Sequence, residues 1–213
     1  MTDKLTPDAL RDVLHQVAAK IIDSRDELCR LDSLVGDGDH GVGMGRGFTQ
    51  AGEKLAAAGD ADLAGLLKTF GMGVVTGAGG ASGPLFGGLF TEGAKALKGA
   101  PHLDAPGARQ WWRAALEATQ KRGGAKPGDK TMVDALHPAV KAMEDFRGED
   151  LGGMFQAAAK AAWEGVEKTK DQLAGQGRSR YLGERALGHQ DAGATSTAMI
   201  LDALARACSG DKG

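Results

Sequence analysis

The chain has 213 residues, a formal net charge of −2 and two cysteines. This length allows one large or two small domains, and the nearly balanced charge gives no reason to expect nucleic-acid or membrane binding. The cysteines form no C-x-x-C pair, so we expect no disulfide framework and a reducing, cytoplasmic compartment. A polar start at 1–14 and the lack of a long apolar run predict neither a secretory leader nor a membrane helix.

Alanine and glycine are abundant, whereas valine, isoleucine, tyrosine and phenylalanine are scarce, and this composition disfavours β-sheet. The 34 glycines exceed the usual share of about 7%. They cluster between helical patterns, so we expect functional loops rather than disorder.

Apolar residues that recur every three or four positions predict eight helices and no strand. Thr6 and Pro7 mark the start of the first helix. The helices are expected near 7–31, 43–58, 60–70, 85–97, 108–121, 131–146, 150–170 and 194–207. Trp111 and Trp112 fall within the fifth helix, which indicates a core or interface position.

No linker divides these helices, so the sequence predicts an all-α, single-domain up-and-down bundle covering residues 1–213. Glycine-rich loops follow helices one, three and five, and the longest irregular segment, 175–193, follows helix seven. Alternate connections of such a bundle lie at the same end. The four loops should therefore build one composite site.

The first loop carries three carboxylates, Asp32, Asp37 and Asp39, within eight positions. Converging carboxylates repel one another unless a cation neutralises them, and oxygen-only ligands favour Mg²⁺ or Ca²⁺ over Zn²⁺. The glycines at 41, 43, 45 and 47 leave backbone N–H groups open where a helix begins, which suits an anion. The loop therefore indicates a magnesium–phosphate site, although a simple surface turn stays open.

Three known motifs resemble parts of this sequence, but none of them is matched in full. The stretch 36–41 fits the dinucleotide fingerprint, but no strand precedes it. The spacing and closing glutamate of an EF-hand are missing. The stretch 123–131 resembles a Walker A loop with one residue too many, Asp129, which we instead expect to cap the next helix.

Two loops leave two interpretations each. Ser82, in the second loop, is either an ordinary N-cap or a hydroxyl that faces phosphate oxygens beside free amides. Arg178, Arg180 and Arg185, in the long segment, are cations suited to phosphate or carboxylate, or members of a solvated basic loop. Loops of this length tend to be functional.

Four motifs occur in order: G-D-G-D-H-G at 36–41, G-G-A-S-G-P-L-F-G at 79–87, G-D-K-T-M at 128–132 and Y-L-G-E-R-A-L-G-H-Q-D-A-G-A-T-S at 181–196. Together they closely resemble the nucleotide-binding L subunits of dihydroxyacetone kinases. The resemblance covers nearly the whole chain. The last motif often has proline where this chain has Ala192, a change that should be mild.

The resemblance implies an eight-helix antiparallel barrel with ADP or ATP and two Mg²⁺ at one end. Asp32, Asp37 and Asp39 would bind the magnesium ions and, with Arg178, form the catalytic set. The nucleotide would contact His40, Gly41, Val42, Gly43, Ala81, Ser82, Gly123, Met132, Arg178, Asp191, Ala192 and Gly193.

The implied reaction is phosphoryl transfer from bound ATP to dihydroxyacetone held on a separate K subunit. In the phosphotransferase-system version, a phosphohistidine-carrying M subunit rephosphorylates the bound ADP, and a chain of this length favours that version. The alternatives are an ATP-dependent kinase module for another small sugar or an acyl acceptor, a nucleotide-binding regulator and a purely structural bundle.

Overall fold

The structure is a computed structural model that describes residues 3–210, except for the side chain of Arg178. The described residues form nine α-helices: α1 (Pro7–Asp23), α2 (Arg25–Val35), α3 (His40–Ala56), α4 (Leu63–Ala78), α5 (Ser82–Ala96), α6 (Ala105–Gly123), α7 (Met132–Asp145), α8 (Leu151–Lys168) and α9 (Ala192–Ser209). Short 3₁₀ turns lie at Thr169–Asp171 and Arg178–Ala186. The expectation of no strand is wrong in one detail, because β1 (Lys4–Leu5) pairs antiparallel with β2 (Leu103–Asp104).

Eight of the helices close into a ring. Starting from α1, the order is α3, α4, α5, α6, α7, α8 and α9, and α9 packs back onto α1. The remaining helix, α2, packs against α3 and α9. The expected all-α barrel is confirmed. Within residues 3–210, no helix is both long enough and apolar enough to pass through a membrane.

The ninth helix arises from a break in the first predicted one. Ser24 ends α1 with a conformation of φ −88° and ψ 5°, and its hydroxyl donates to the carbonyl of Lys20 at 2.8 Å. A serine that bonds back to its own helix competes with the regular pattern and bends it. Asp32 therefore lies inside the short helix α2 instead of at the end of one long helix.

Many glycines serve helix packing, which corrects the expectation that they belong to loops. A Cβ atom on Gly73 of α4 would lie 2.4 Å from the Cα of Ala51 on α3. A Cβ on Gly87 of α5 would lie 2.6 Å from the carbonyl oxygen of Gly71 on α4. Helices α3, α4 and α5 therefore approach one another at distances that only glycine permits.

The interior of the ring contains a chain of aromatic side chains. Phe70 and Phe90 have ring centroids 4.7 Å apart in an edge-to-face arrangement, and Phe90 also contacts Trp111. The Trp111 indole donates to the carbonyl of Leu89 at 2.6 Å. Trp111 and Trp112 are both fully buried, so their predicted core position is confirmed.

Candidate functional site

A cavity of about 760 Å³ opens at one end of the ring. Its wall is built from the α2–α3, α4–α5, α6–α7 and α8–α9 connections and the adjoining helix ends. These are the four loops that the alternation of the bundle was expected to gather. The helices thus supply a rigid frame, and the loops between them supply the chemistry.

The three carboxylates converge at one corner of the cavity. Asp32, Asp37 and Asp39 each offer an oxygen, and these oxygens lie within 4.8 Å of one another. Gly36 makes this approach possible, because a Cβ there would be 2.4 Å from the Asp32 carboxylate. Gly38, at φ +77°, supplies the left-handed turn between the other two aspartates. The corner offers hard oxygen ligands of the kind that Mg²⁺ prefers.

His40 follows this corner as the first residue of α3. Its backbone N–H donates to the Asp32 carboxylate at 3.2 Å, and its Nε2 lies 2.8 Å from the hydroxyl oxygen of Ser196 on α9. Burial lowers the pKa of His40, and the nearby Asp32 only partly opposes this effect. Burial therefore favours the neutral imidazole, and Ser196 fixes its orientation at the cavity wall.

The second loop ends at the start of α5. Gly79 and Gly80 have φ values of +71° and +52°, and Ala81 is the N-cap, so Ser82 is the first helical residue. The N-cap interpretation of Ser82 is therefore wrong. Ala81 and Ser82 both line the cavity. The N-terminus of a 15-residue helix thus brings the positive end of its dipole to the site.

The third loop is fixed by a capping box. The Thr131 hydroxyl accepts from the Val133 N–H, while the Asp134 carboxylate accepts from the Thr131 and Gly128 N–H groups. The N-cap of α7 is therefore Thr131, and the prediction that Asp129 caps this helix is wrong. Asp129 instead accepts from the Lys126 N–H within the loop.

The start of α9 forms a further part of the cavity wall. The Asp191 carboxylate caps α9 by accepting from the Ala194 N–H at 2.7 Å. Burial raises the pKa of Asp191 to about 7, opposed by the Ala194 hydrogen bond and the nearby Lys130 ammonium. Gly193 lies against α7, because a Cβ there would be 3.5 Å from the Met132 nitrogen.

Most of the predicted nucleotide contacts lie on the cavity wall: His40, Val42, Gly43, Ala81, Ser82, Gly123, Met132, Asp191, Ala192 and Gly193, together with the three aspartates. Gly41 lies behind the wall, buried so tightly that a Cβ would be 2.0 Å from the Arg25 carbonyl oxygen of α2. The predicted role of Arg178 falls on a side chain outside those described, although Gly177 and Ser179 line the cavity.

Several residues that were not predicted from the sequence also line the cavity. Arg46 lines the wall from α3, and Arg122 lines it from the last turn of α6. Arg46 falls three residues after Gly43, so the helical period could have revealed it. Lys130 and Thr119 also line the cavity although both are buried. Lys130 belongs to the G-D-K-T-M motif at 128–132, although it was assigned no role there, and no sequence pattern marked Thr119. Exposed Arg180 instead packs over the Tyr181 ring, 4.7 Å from its centroid.

Comparison with known proteins decides the family. Residues 34–206 match the family described as the DAK2 domain. The chain belongs to the DAK2 domain family. A DAK2 relative from Escherichia coli (strain K12), the ADP-binding subunit DhaL of a PEP-dependent dihydroxyacetone kinase, is 40% identical over 182 residues, which cover 84% of this chain and 87% of that one. The L-subunit resemblance and the phosphotransferase class are thereby confirmed.

Two larger proteins are also similar to this chain. The L-erythrulose 1-kinase of Mycolicibacterium smegmatis is 38% identical over 199 residues, covering 92% of this chain and 34% of that protein. The crystal structure of dihydroxyacetone kinase from C. freundii, in complex with AMP-PNP and Mg²⁺, matches with a TM-score of 0.72 and 27% identity over 97% of this chain and 35% of that one. This chain therefore spans about a third of both kinases.

Proposed function

We propose that this chain is the nucleotide-binding subunit of a dihydroxyacetone kinase. It binds ADP or ATP with two Mg²⁺ in the cavity and transfers a phosphoryl group to dihydroxyacetone held on a separate K subunit. The observation that carries the proposal is the convergence of Asp32, Asp37 and Asp39 within 4.8 Å, in the same cavity as the N-terminus of α5.

The carboxylate corner fits magnesium by its donor set. It offers oxygen ligands from three side chains, and the carboxylates would repel one another without a cation. Asp32, Asp37 and Asp39 would hold Mg²⁺ there, and the metal would supply positive charge that offsets the negative charge developing on the phosphates. The His40 N–H donates to the Asp32 carboxylate, so the protein itself holds this ligand in place.

The phosphates are expected to lie between the carboxylate corner and the start of α5. There, the helix N-terminus and the Ser82 hydroxyl provide positive potential and a donor. His40, held by Ser196, supplies a further polar contact. Arg178 is the proposed additional cation, and Arg46 and Arg122 bring positive charge to the same wall.

The remaining wall would hold the nucleoside. It is formed by Gly123, Met132 and the 191–193 segment, which come from three different helix ends. Phosphoryl transfer depends mainly on positioning and charge neutralisation. A rigid helical ring with loops at one end is suited to that task, and we propose that residues 1–213 act together as one nucleotide-binding domain.

The acceptor and the phosphate donor belong to partners. We propose that a K subunit presents the ketone at the mouth of the cavity and that a phosphohistidine-carrying M subunit rephosphorylates the bound ADP in the cytoplasm. The support for the second step is the similarity to the PEP-dependent E. coli subunit. The reaction would require neither nucleic acid nor a membrane.

The decisive test begins with protein purified without added nucleotide. The protein is denatured, and the released nucleotide and magnesium are measured. About one ADP and two Mg²⁺ per chain support a resident cofactor recharged in place. An empty protein that binds ATP–Mg²⁺ reversibly points to the ATP-dependent version, and no nucleotide in either case rejects the proposal.

The transfer step has its own test. The chain is loaded with γ-labelled ATP and mixed with dihydroxyacetone, with and without the E. coli K subunit. Label on dihydroxyacetone only in the presence of K supports the proposed division of labour. Label without K would reject it, as would retention of all label on the nucleotide once every subunit is present.

A second acceptor is favoured by one observation, the 38% identity to an L-erythrulose 1-kinase. The same nucleotide site can serve another short ketose when a different acceptor-binding partner is used. Competition between dihydroxyacetone and L-erythrulose, in the presence of each candidate partner, separates the two functions. Binding of ADP–Mg²⁺ without transfer to a sugar or acyl acceptor would instead favour a regulatory role.

A further inference from the structure

Lys130, in the third loop, has two features that are unfavourable for the stability of the folded protein. It has a φ of +58°, and among residues 3–210 it is the non-glycine residue with a positive φ. Its side chain is only 1% exposed. Left-handed backbone disfavours a residue with a Cβ, and a buried ammonium requires hydrogen-bonding partners. A glycine would suit this backbone better, so the ammonium group must account for the lysine.

The ammonium group joins two distant points of the chain. Lys130 Nζ donates to the carbonyl oxygens of Thr169 and His189. These residues lie near the two ends of the segment that connects α8 to α9. One buried side chain of the α6–α7 loop therefore holds together both ends of the α8–α9 connection, which we define here as the 169–191 segment.

Other contacts close the base of the same segment. The Asp191 N–H donates to the Thr169 hydroxyl at 3.0 Å, and the Gly188 N–H donates to the Lys170 carbonyl at 2.8 Å. Asp129 adds a third link, because its carbonyl accepts from the Gly175 N–H at 3.0 Å. The 169–191 segment is thus a closed loop whose ends are fixed while its middle extends beside the cavity.

The 169–191 segment supplies part of the cavity wall. Gln176, Gly177 and Ser179 line the cavity, and Asp191 at its end leads directly into Ala192 and Gly193. Its outer side is solvated, since Tyr181 is 74% exposed. The position of this wall relative to the α6–α7 wall therefore depends on the contacts that join their bases.

We propose that Lys130 is a positioning residue for the nucleotide site: by binding both ends of the 169–191 segment, it sets the distance between the two walls and slows the release of bound nucleotide. The proposal rests on the proposed function for the ligand, although the effect on the segment itself can be measured without any ligand. Lys130 acts through the loop and is not assigned a contact with the reacting atoms.

Around the ammonium group lie Asp191, Asp134 and Asp171, whose charges favour its protonated form. Burial acts in the opposite direction and lowers the pKa of Lys130. The carboxylates come from the N-cap of α9, the first turn of α7 and the 3₁₀ turn Thr169–Asp171 that follows α8. Two of these three acids, Asp171 and Asp191, belong to the 169–191 segment whose ends the Lys130 ammonium group binds.

The test compares Lys130→Met, which keeps the length and removes the donors, with Lys130→Arg, which keeps the charge and donors. Exposed Lys126, in the same loop, provides the matched control Lys126→Met. Two quantities are measured: hydrogen exchange of amides 172–188 in the ligand-free protein, and the dissociation rate of a fluorescent ADP analogue chased by unlabelled ADP–Mg²⁺.

In Lys130→Met we expect faster exchange in 172–188, with α4 and α5 unchanged, and an ADP dissociation rate raised about tenfold or more. Lys130→Arg should fall between this variant and wild type, and Lys126→Met should match wild type. Wild-type exchange in 172–188 and wild-type release by Lys130→Met would overturn the proposal. So would an unfolded Lys130→Met, since the lysine would then hold the whole fold.

The two proposals fail separately. If the wild-type protein binds no ADP analogue, the proposed function fails, while the exchange measurement still decides whether Lys130 fixes the 169–191 segment. If the wild-type protein binds the analogue and Lys130→Met shows faster exchange without faster release, the segment does not retain nucleotide and the positioning role is wrong.

Discussion

The His40 imidazole is joined to Ser196 across the cavity wall, with Nε2 and the hydroxyl oxygen 2.8 Å apart. The two residues are 156 positions apart in the chain and belong to α3 and α9. This hydrogen bond links the start of α3, next to the carboxylate corner, to α9. Because His40 directly follows Asp39, its orientation affects the corner as well as the phosphate contact proposed for it.

Ser196→Ala should therefore weaken nucleotide binding without unfolding the protein. A lost hydrogen bond of this kind costs about 1 kcal/mol, which corresponds to about a fivefold weaker affinity for ADP–Mg²⁺ by titration calorimetry. Ser209→Ala is the control, because Ser209 accepts a bond from Gln156 at 2.9 Å near the far end of α9. Equal effects of both variants on affinity would contradict a specific role for Ser196.

Replacing Asp37 and Asp39 by Asn should abolish magnesium-dependent nucleotide binding. In the metal-free protein the same double variant should be as stable as wild type or more stable, because it removes like charges from one corner. Urea unfolding with EDTA and with Mg²⁺–ADP separates the two effects. The control is Glu117→Gln, an exposed position on α6.

A lower metal-free stability of the Asp37→Asn/Asp39→Asn variant would mean that the carboxylates serve the fold. Retained Mg²⁺–ADP binding would show that the corner is not the metal site. Either result would contradict the proposal that the three aspartates converge to bind magnesium.

Gly87→Ala should destabilise the protein strongly, because the new Cβ would lie 2.6 Å from the Gly71 carbonyl oxygen and 2.5 Å from a methyl carbon of Val75. Overpacking of this kind typically costs about 1–3 kcal/mol. Gly52→Ala is the matched control within helix α3, since its Cβ would meet only Ala18 at 4.0 Å. That variant should be more stable by about 0.5–1 kcal/mol, and thermal unfolding measures both.

Asp191→Asn should change how stability depends on pH. The folded protein holds the Asp191 proton up to about pH 7, whereas the ordinary value is 3.8. This contribution to stability is complete below about pH 4 and is lost as pH rises through 7. The asparagine has no such proton and can still cap α9. Relative to wild type, the variant should therefore gain stability with rising pH.

Urea midpoints at pH 4.5, 6 and 8, in protein free of nucleotide and magnesium, measure this difference. Parallel pH profiles for wild type and Asp191→Asn would show that Asp191 titrates at its ordinary value in the folded protein. A variant at Thr197, on the same helix, is the control, because the threonine side chain carries no charge in the folded or the unfolded protein.

The local chemistry of the site could be predicted from sequence. Asp32, Asp37 and Asp39 lie within eight positions, so a tight turn with Gly38 at φ +77° is enough to bring them together. Helix spacing and the alternation of connections also predicted that four loops share one end. The first property depends on a short sequence separation, and the second depends on the number and order of the helices. Both can be read directly from a sequence.

The break at Ser24 and the helical glycines depended on tertiary packing. Ser24 sits where the chain must turn so that α2 can pack on α3, and Gly41 permits that contact. Propensity alone favours a continuous helix and places glycine in loops. The packed ring overrides both preferences, because close helix approach requires residues without a side chain.

The sequence by itself determined an all-α chain, the acidic corner and the order of its loops. Only the tertiary structure decided which side chains of distant helices meet beside the cavity, such as His40 with Ser196, and which cation binds both ends of the 169–191 segment. Lys130 shows the reason: its partners, Thr169 and His189, are 39 and 59 residues away and offer only backbone carbonyls. Every residue has a backbone carbonyl whatever its type, so no sequence pattern reveals that contact.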